Sequence, residues 1–156
     1  MSLQCASRLH VLASKFRSQT MPDVRITRSD HLDRNTPQSA GILRLAAINS
    51  DLSSSSHICG GVMIAQPHTT SSVHHHGNQE TIIYVLGGNG QVRWGRHGER
   101  SETVRPGDFV FIPAHLPHQE LNPTAETVTW VVIRSGPKPV VVNLPGFDPI
   151  ASTSAR

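Results

Sequence analysis

Short apolar segments separated by turn residues dominate the sequence from Gly41 onwards. Each is four to eight residues long and rich in β-branched or aromatic residues, which is typical of strands rather than helices. The segments are 42–48, 58–65, 81–86, 91–94, 108–112 and 127–133, with a further one at 140–143. No amphipathic segment of ten or more residues follows Met21, so the pattern predicts an all-β fold with antiparallel strands, a β-barrel or jelly roll.

The residues between these segments are the ones that form turns. Serines occupy 53–56, glycine and asparagine occupy 87–90, and proline or glycine is present at 106, 107 and 117. The pair Gly88-Asn89, with a strand-like segment on each side, predicts a tight hairpin. No segment is repeated along the chain, so we expect a single β-barrel domain over residues 23–145.

The two ends differ from this domain in composition. Residues 1–22 contain basic residues and serines but no acid, which is typical of a flexible extension or an organelle-targeting segment. A start codon assigned too early, with Met21 as the true beginning, explains the same composition. We therefore expect a cytoplasmic protein, or an organelle protein if residues 1–20 are a transit peptide. Residues 146–156 are predicted to form a C-terminal tail.

Charge and composition exclude several classes of function. Lys and Arg number 14 against 11 acidic residues, a net charge of +3 without a cluster. Nucleic acid binding requires a concentrated basic patch, and a membrane span requires an apolar run of about 20 residues. Neither is present, and two cysteines do not make a disulfide framework. The unusual feature is histidine, with ten copies, four of them between 68 and 76.

Two spaced motifs contain the candidate chemistry. The first has the form H-x-H-x3-E-x6-G and comprises His74, His76, Glu80 and Gly87. The second has the form G-x5-P-x4-H-x3-N and comprises Gly107, Pro113, His118 and Asn122. Imidazole nitrogen and carboxylate oxygen are ligands of first-row divalent metals, and the absence of thiolate disfavours a closed structural zinc site.

The spacing of the first motif also predicts which side chains share a face. Successive side chains of a strand alternate between its two faces, so His74, His76 and Glu80 lie on one face if the strand is regular. Ile82, Tyr84 and Leu86 would continue that face into the barrel interior. Ile83 and Val85 would then lie outside, against a dimer partner or a covering layer from the segment before Gly41.

Both motifs resemble those of the cupin superfamily, and the chain is most similar to small single-domain, RmlC-like cupins. The resemblance is densest over residues 80–88 and 106–118, and it covers about 40–145. It implies a cupin barrel, a double-stranded β-helix that is commonly a homodimer. It also implies one divalent transition metal (Fe, Mn, Ni, Zn, Co or Cu), held by the ligands His74, His76, Glu80 and His118.

The sequence departs from the cupin pattern at two glycine positions, which are His68 and His115 here. Turns at these positions favour φ > 0, which histidine tolerates better than most residues. We expect turn positions or hydrogen bonds that support the site. The alternative is that either ring contacts the metal or the substrate.

Four ligands on a six-coordinate metal leave two positions for a substrate that binds through two oxygens, or one for dioxygen. The predicted function is a metal-dependent dioxygenase, decarboxylase, lyase or isomerase acting on a small oxygenated molecule. Tyr84, His115 and Glu120 are the candidate catalytic residues, because each could carry a proton near the metal. A non-catalytic metal- or small-molecule-binding module and a metal-free storage or interaction barrel are the alternatives.

Overall fold

The structure is a computed structural model that describes residues 23–36, 38 and 41–149. This part of the chain forms eleven strands and two short helical turns, Ser29–His31 and α1 (Ser50–Ser53). The strands are β1 (Ile42–Ile48), β2 (Ile58–Ala65), β3 (Thr69–Thr70), β4 (His74–His75), β5 (Thr81–Gly87), β6 (Gly90–Trp94), β7 (Arg100–Val104), β8 (Phe109–Ile112), β9 (His118–Asn122), β10 (Val128–Ser135) and β11 (Val142–Asn143). The predicted segments at 42–48 and 58–65 coincide with β1 and β2.

The strands form two antiparallel sheets. One has the order β1-β2-β10-β5-β8, and the other has the order β11-β4-β9-β6-β7, with β3 also paired to β9. The core lies between them and contains Ile83, Val85, Val92, Val104 and Trp130. This arrangement is a jelly roll, which confirms the predicted all-β fold class. Among the described residues, no helix has the length and apolar character needed to cross a bilayer.

The hairpin predicted at Gly88-Asn89 is wrong. Strand β5 pairs with β10 and β8, whereas β6 pairs with β7 and β9, so the chain passes here from one sheet to the other. Gly88 has a φ of +74°, and a Cβ there would lie 2.5 Å from the carbonyl oxygen of Thr127. A Cβ at Gly90 would lie 2.3 Å from the Trp130 ring. The glycines are therefore required for close packing at the corner rather than for a hairpin turn.

The predicted faces of β5 are reversed. Thr81, Ile83 and Val85 are buried, while Ile82 and Leu86 are 44% and 58% exposed. The reason is a turn after His76, in which the Gln79 N–H donates to the His76 carbonyl and Gly77 has a φ of +57°. This turn ends the regular alternation before β5 begins. Ile83 and Val85 are thus core residues, and the outer layer proposed to explain them is not needed.

Apolar side chains instead cover the outside of the first sheet. Phe109 and Phe111 on β8 are 73% and 59% exposed, and Ile133 on β10 is 42% exposed. Ile82 pairs with Phe111 on one side and with Ile133 on the other. We call this surface the outer apolar face; it comprises Ile82, Leu86, Phe109, Phe111 and Ile133.

Only a few residues of the two predicted terminal segments are described by the structure. The proposed extension, residues 1–22, lies outside the described residues, as does most of the proposed tail. At the start of that tail the Asp148 N–H donates to the Arg96 carbonyl, and Arg93 lies 5.4 Å from the centre of the Phe147 ring.

Candidate metal centre

Four buried side chains converge inside the jelly roll, on the inner face of the second sheet. His74 is the first residue of β4 and pairs directly with His118, the first residue of β9. His76 follows β4 by one residue, and Glu120 lies two residues after His118, so each pair shares a face of its strand. All four side chains are at most 1% exposed. Their potential ligand atoms lie within 4.8 Å of one another, and the group could hold a metal ion.

Each histidine ring uses Nδ1 for a hydrogen bond and leaves Nε2 free. Nδ1 of His74 donates to the Ser72 carbonyl, and Nδ1 of His118 donates to the Leu116 carbonyl, both at 2.8 Å. Since a carbonyl can only accept, both rings carry their proton on Nδ1 when neutral, and the Nε2 lone pair is available. A metal-binding histidine is commonly held in this way, by a hydrogen bond at its other nitrogen.

Thr81 fixes the third ring. Its Oγ1 shares a hydrogen bond of 2.6 Å with Nδ1 of His76, and both residues are buried. Nε2 of all three histidines and Oε2 of Glu120 are buried without any hydrogen-bond partner. Unpaired buried polar atoms are costly and rare in folded proteins, and four of them directed at one point fit the requirements of a bound metal.

Glu120 completes the cluster as its one carboxylate. Oε2 lies 3.6 Å from Nε2 of His74, and Oε1 lies 3.5 Å from Nε2 of His118. Its backbone is held to the neighbouring segment by Ser71, whose Oγ accepts from the Glu120 N–H and whose own N–H donates to the Glu120 carbonyl. Two hydrogen bonds with Ser71 therefore fix the backbone from which the carboxylate extends.

The electrostatics of the cluster favour the protonation states that a metal requires. Burial lowers the pKa of His76 to about 2, with a further contribution from the charge of Arg134, and burial also lowers the pKa of His74. Burial opposes ionisation of Glu120, but the His74 and His118 rings and Arg44 outweigh it, so the pKa of Glu120 lies well below its usual value. Neutral imidazoles and an ionised carboxylate are the binding forms of these ligands.

The structure does not bring Glu80 into this group. The Glu80 side chain is exposed, and its N–H donates to Oγ of Ser135 at 2.9 Å. The prediction assumed one regular strand from His74 to Glu80, and the turn at Gly77 breaks that strand. The inward-facing residue is Thr81, one position later, and Glu120 supplies the carboxylate instead. The sequence already indicated that Glu120 lies on the same strand face as His118. That position was interpreted as the position of a proton carrier rather than of a member of the cluster.

The other two candidate catalytic residues also lie outside the cluster. Tyr84 is on the outward side of β5, with its ring 4.8 Å from that of Phe109. His115 is exposed, and its Nε2 donates to Oδ1 of Asn78 at 2.6 Å. His68 is exposed as well, and both histidines have positive φ, 56° and 61°. This confirms that they occupy the turn positions where the cupin pattern has glycine.

A small cavity between β1, β2 and β10 is lined by residues that the motifs did not indicate. Its volume is about 60 Å³, and its walls include Arg44, Cys59, Met63, Val132 and Arg134. Arg134 follows Val128, Trp130 and Val132 on the inward side of β10 and is only 7% exposed. A single arginine at an inward position of an apolar strand is the sequence signal that would have identified it.

A family model of the cupin domain matches residues 61–134. This stretch contains all four residues of the cluster. Residues 61–134 thus match the cupin domain, as the motif resemblance predicted. None of the curated proteins matches the sequence.

Solved structures with the same fold include several structures of oxalate decarboxylase. A deletion mutant of the Bacillus subtilis enzyme, and a structure of that enzyme concerned with its Mn(II) centres, each have a TM-score of 0.62 and 21% identity, covering 69% of this chain and 29% of theirs. A third oxalate decarboxylase structure, concerned with substrate binding, has a TM-score of 0.64 and 20% identity, covering 73% of this chain and 31% of its own. This chain thus spans less than a third of each, and at these identities the similarity shows the fold alone.

Proposed function

We propose that this cupin is a metal-dependent enzyme that acts on a small oxygenated molecule. Its one divalent transition metal would be held by His74, His76, His118 and Glu120. The observation that supports this proposal is the convergence of four buried, unpartnered ligand atoms. When bound, the metal would supply Lewis acidity at positions that the four protein ligands leave free.

Within the reaction classes expected from the sequence, decarboxylation is the first to test. The solved structures with the same fold are named as oxalate decarboxylases, and one of them is described with Mn(II) centres. Manganese accepts imidazole and carboxylate ligands, so Mn²⁺ is the first metal to examine. Dioxygenase, lyase and isomerase chemistry are then distinguished by products and oxygen uptake.

A binding module without turnover is the second candidate function. With Glu120 used as a ligand, neither Tyr84 nor His115 is placed to carry a proton at the cluster. Such a module would bind the metal and the small molecule as tightly as the enzyme does, but no product would form. Product analysis with the metal-loaded protein separates the two.

The test of the metal site is elemental analysis of untagged protein. We expect one divalent metal per chain, and at least a tenfold loss of bound metal in His118→Ala and in Glu120→Gln, as for loss of a ligand or its support. His57→Ala and Glu80→Gln are the matched controls, because both residues are exposed, and both should retain the metal. Equal metal content in Glu120→Gln and wild type, with loss in Glu80→Gln, would reject the proposed ligand set.

We also propose that two copies of the chain associate through the outer apolar face. The positions of this face on β5, β8 and β10 carry apolar side chains, so two copies can meet without opposing like charges. Contiguous exposed apolar patches commonly mark interaction sites. A homodimer is also what the motif resemblance implies.

A further inference from the structure

We propose that the cavity between β1, β2 and β10 is a carboxylate-binding site, in which Arg134 selects a small carboxylate anion as the substrate. This inference rests on the proposed function and adds the class of molecule that the centre would take. It is carried by the burial of Arg134, the absence of a partner for its Nε, and its place in the wall of the cavity.

Arg134 is a buried cation whose charge interacts with that of Glu120 but whose Nε has no hydrogen-bond partner. Its side chain is only 7% exposed, and Nε is buried without a hydrogen-bond partner. None of the ion pairs among the described residues includes it. Buried charges are expensive unless they are paired and hydrogen-bonded, so a guanidinium retained here indicates a partner that is not part of the chain.

Two connections link the walls of the cavity to the segment that carries the cluster, one to His76 and one to its neighbour His75. Arg134 pairs across the sheet with Thr81, which shares a hydrogen bond with His76. On the other side, Val141 lines the cavity and directly precedes Val142, the ladder partner of His75. In agreement with this proximity, the charge of Arg134 contributes to the lowered pKa of His76.

The balance of charge indicates an anion. A divalent metal and an ionised Glu120 would together retain one positive charge, and the guanidinium of Arg134 adds a second. A carboxylate can bind a guanidinium through two parallel hydrogen bonds, while a second oxygen-bearing group of the same molecule reaches the metal. The remaining walls are largely apolar, with Met63, Val132 and Pro139, and they offer little to a polyhydroxylated substrate.

The size of the cavity limits the anion. Its volume of about 60 Å³ corresponds to roughly four to six water-sized groups, at about 10–15 Å³ each. This matches a carboxylic acid of two or three carbons that carries a second carboxylate, oxo or hydroxyl group next to the first.

The experiment compares three molecules of nearly the same shape and decreasing charge: oxalate, oxamate and oxamide. Each is titrated calorimetrically into Mn²⁺-loaded wild type, Arg134→Met and Arg134→Lys, and metal content is measured after each titration. Arg105→Met is the matched control, because it removes the same charge from an exposed position. We expect wild type and Arg105→Met to prefer oxalate over oxamide by at least tenfold.

In Arg134→Met we expect oxalate affinity to fall at least tenfold, while metal content and oxamide affinity change less than twofold. Arg134→Lys, which retains charge but not the two parallel donors, should be intermediate. Without any ligand, Arg134→Met should melt at the same or a higher temperature than wild type, by about 2–4 °C per kcal/mol of relief. If Arg134 only stabilised the fold, Arg134→Met would melt at a lower temperature than wild type.

Equal oxalate affinity in wild type and Arg134→Met, or an equal loss of oxamide binding, would overturn the inference. If the protein holds no metal, the proposed function fails, and the same titrations of the metal-free protein decide the arginine site. A preference for oxalate that disappears in Arg134→Met then supports that site. No preference rejects both proposals.

Discussion

At the scale of single residues, the cluster depends on what each histidine does with its second nitrogen. Backbone carbonyls hold His74 and His118, whereas the hydroxyl of Thr81 holds His76. A hydroxyl can donate or accept, so His76 is the one ring whose tautomer the chain leaves adjustable. Because Thr81 also pairs with Arg134 across the sheet, it lies between the histidine cluster and a residue of the cavity wall.

Replacing Thr81 by valine should weaken metal binding without unfolding the protein. Valine has a similar shape but cannot hydrogen-bond Nδ1 of His76, and loss of such a support typically costs about 10–100-fold in metal affinity. Competition with a chromophoric chelator measures the affinity. Thr103→Val, at an exposed position on β7, is the control. Unchanged affinity in Thr81→Val would show that this hydrogen bond does not orient the ring.

The lowered pKa values of the cluster predict that acid destabilises the metal-free protein. The pKa of His76 is about 2 in the folded chain, against about 6.5 for an unfolded histidine. Between these values the unfolded state binds the additional proton, so stability is lost as the pH falls below about 6.5, by up to roughly 1.4 kcal/mol per pH unit for each such histidine. The lowered pKa of Glu120 acts in the same direction at lower pH.

Urea unfolding of the metal-free protein at a series of pH values tests this prediction. We expect a smaller pH slope in His76→Gln than in wild type, because this variant lacks an imidazole that the unfolded chain protonates more readily than the folded one. Bound metal should steepen the dependence, since protons compete for the same nitrogens. A free energy of unfolding that stays constant from about pH 7 to pH 5 would contradict these pKa directions.

At the scale of elements, two short turns determine which face of β5 points inward and which sheet β6 joins. The turn after His76 places Thr81 rather than Glu80 on the inside, and the corner at Gly88 sends β6 into the other sheet. Neither turn is longer than a few residues. Each turn contains a glycine with positive φ, Gly77 and Gly88, and residues with a side chain rarely adopt this conformation.

Substitution of Gly88 by alanine should destabilise the fold strongly. A Cβ at this position meets the Thr127 carbonyl at 2.5 Å in a backbone conformation with φ of +74°, and we expect a loss of roughly 2–4 kcal/mol. Gly87→Ala is the matched control in the same corner, because nothing lies within 4 Å of its Cβ and its φ is not positive. Denaturant unfolding distinguishes them, and similar stabilities for the two variants would reject the packing explanation.

At the scale of the whole molecule, the two sheets differ in what their surfaces offer. The second sheet carries the histidine and glutamate cluster on its inner side. The first sheet carries the outer apolar face on its outer side. Phe109 and Phe111 are the most exposed of its members. Burial of apolar surface favours association by about 25 cal/mol per Å², which supports a second copy of the chain as the occupant of this face.

Phe111→Asp should convert the proposed dimer to a monomer. Two-fold association would bring two carboxylates into an apolar interface, where unpaired charges are costly. Light scattering coupled to size exclusion measures the mass, and circular dichroism checks the fold. Leu52→Asp is the control, because Leu52 is also exposed, at 40%, but lies on α1. A monomeric wild type would refute the proposed dimer.

Much of the fold could be read from local pattern. The bounds of β1 and β2 follow from apolar β-branched runs, and β5, β6, β8 and β10 were located to within two residues, because such runs are both strand-forming and buried. Strand β7 was missed, since Arg100–Val104 is polar and mostly exposed. Strand β9 was missed because its alternating polar residues belong to the site rather than to the apolar core.

By itself the sequence determined the fold class and the three histidines that the structure brings together, because strand alternation and motif spacing are properties of a few consecutive residues. The tertiary structure alone decided that Glu120 rather than Glu80 joins them, that Ile83 faces inward, and that Arg134 lies beside the cluster. These outcomes depend on where a short turn shifts the alternation and on which strands meet across the two sheets. Strand alternation alone does not reveal the turn, and the pairing of strands is settled by contacts between residues far apart in the chain.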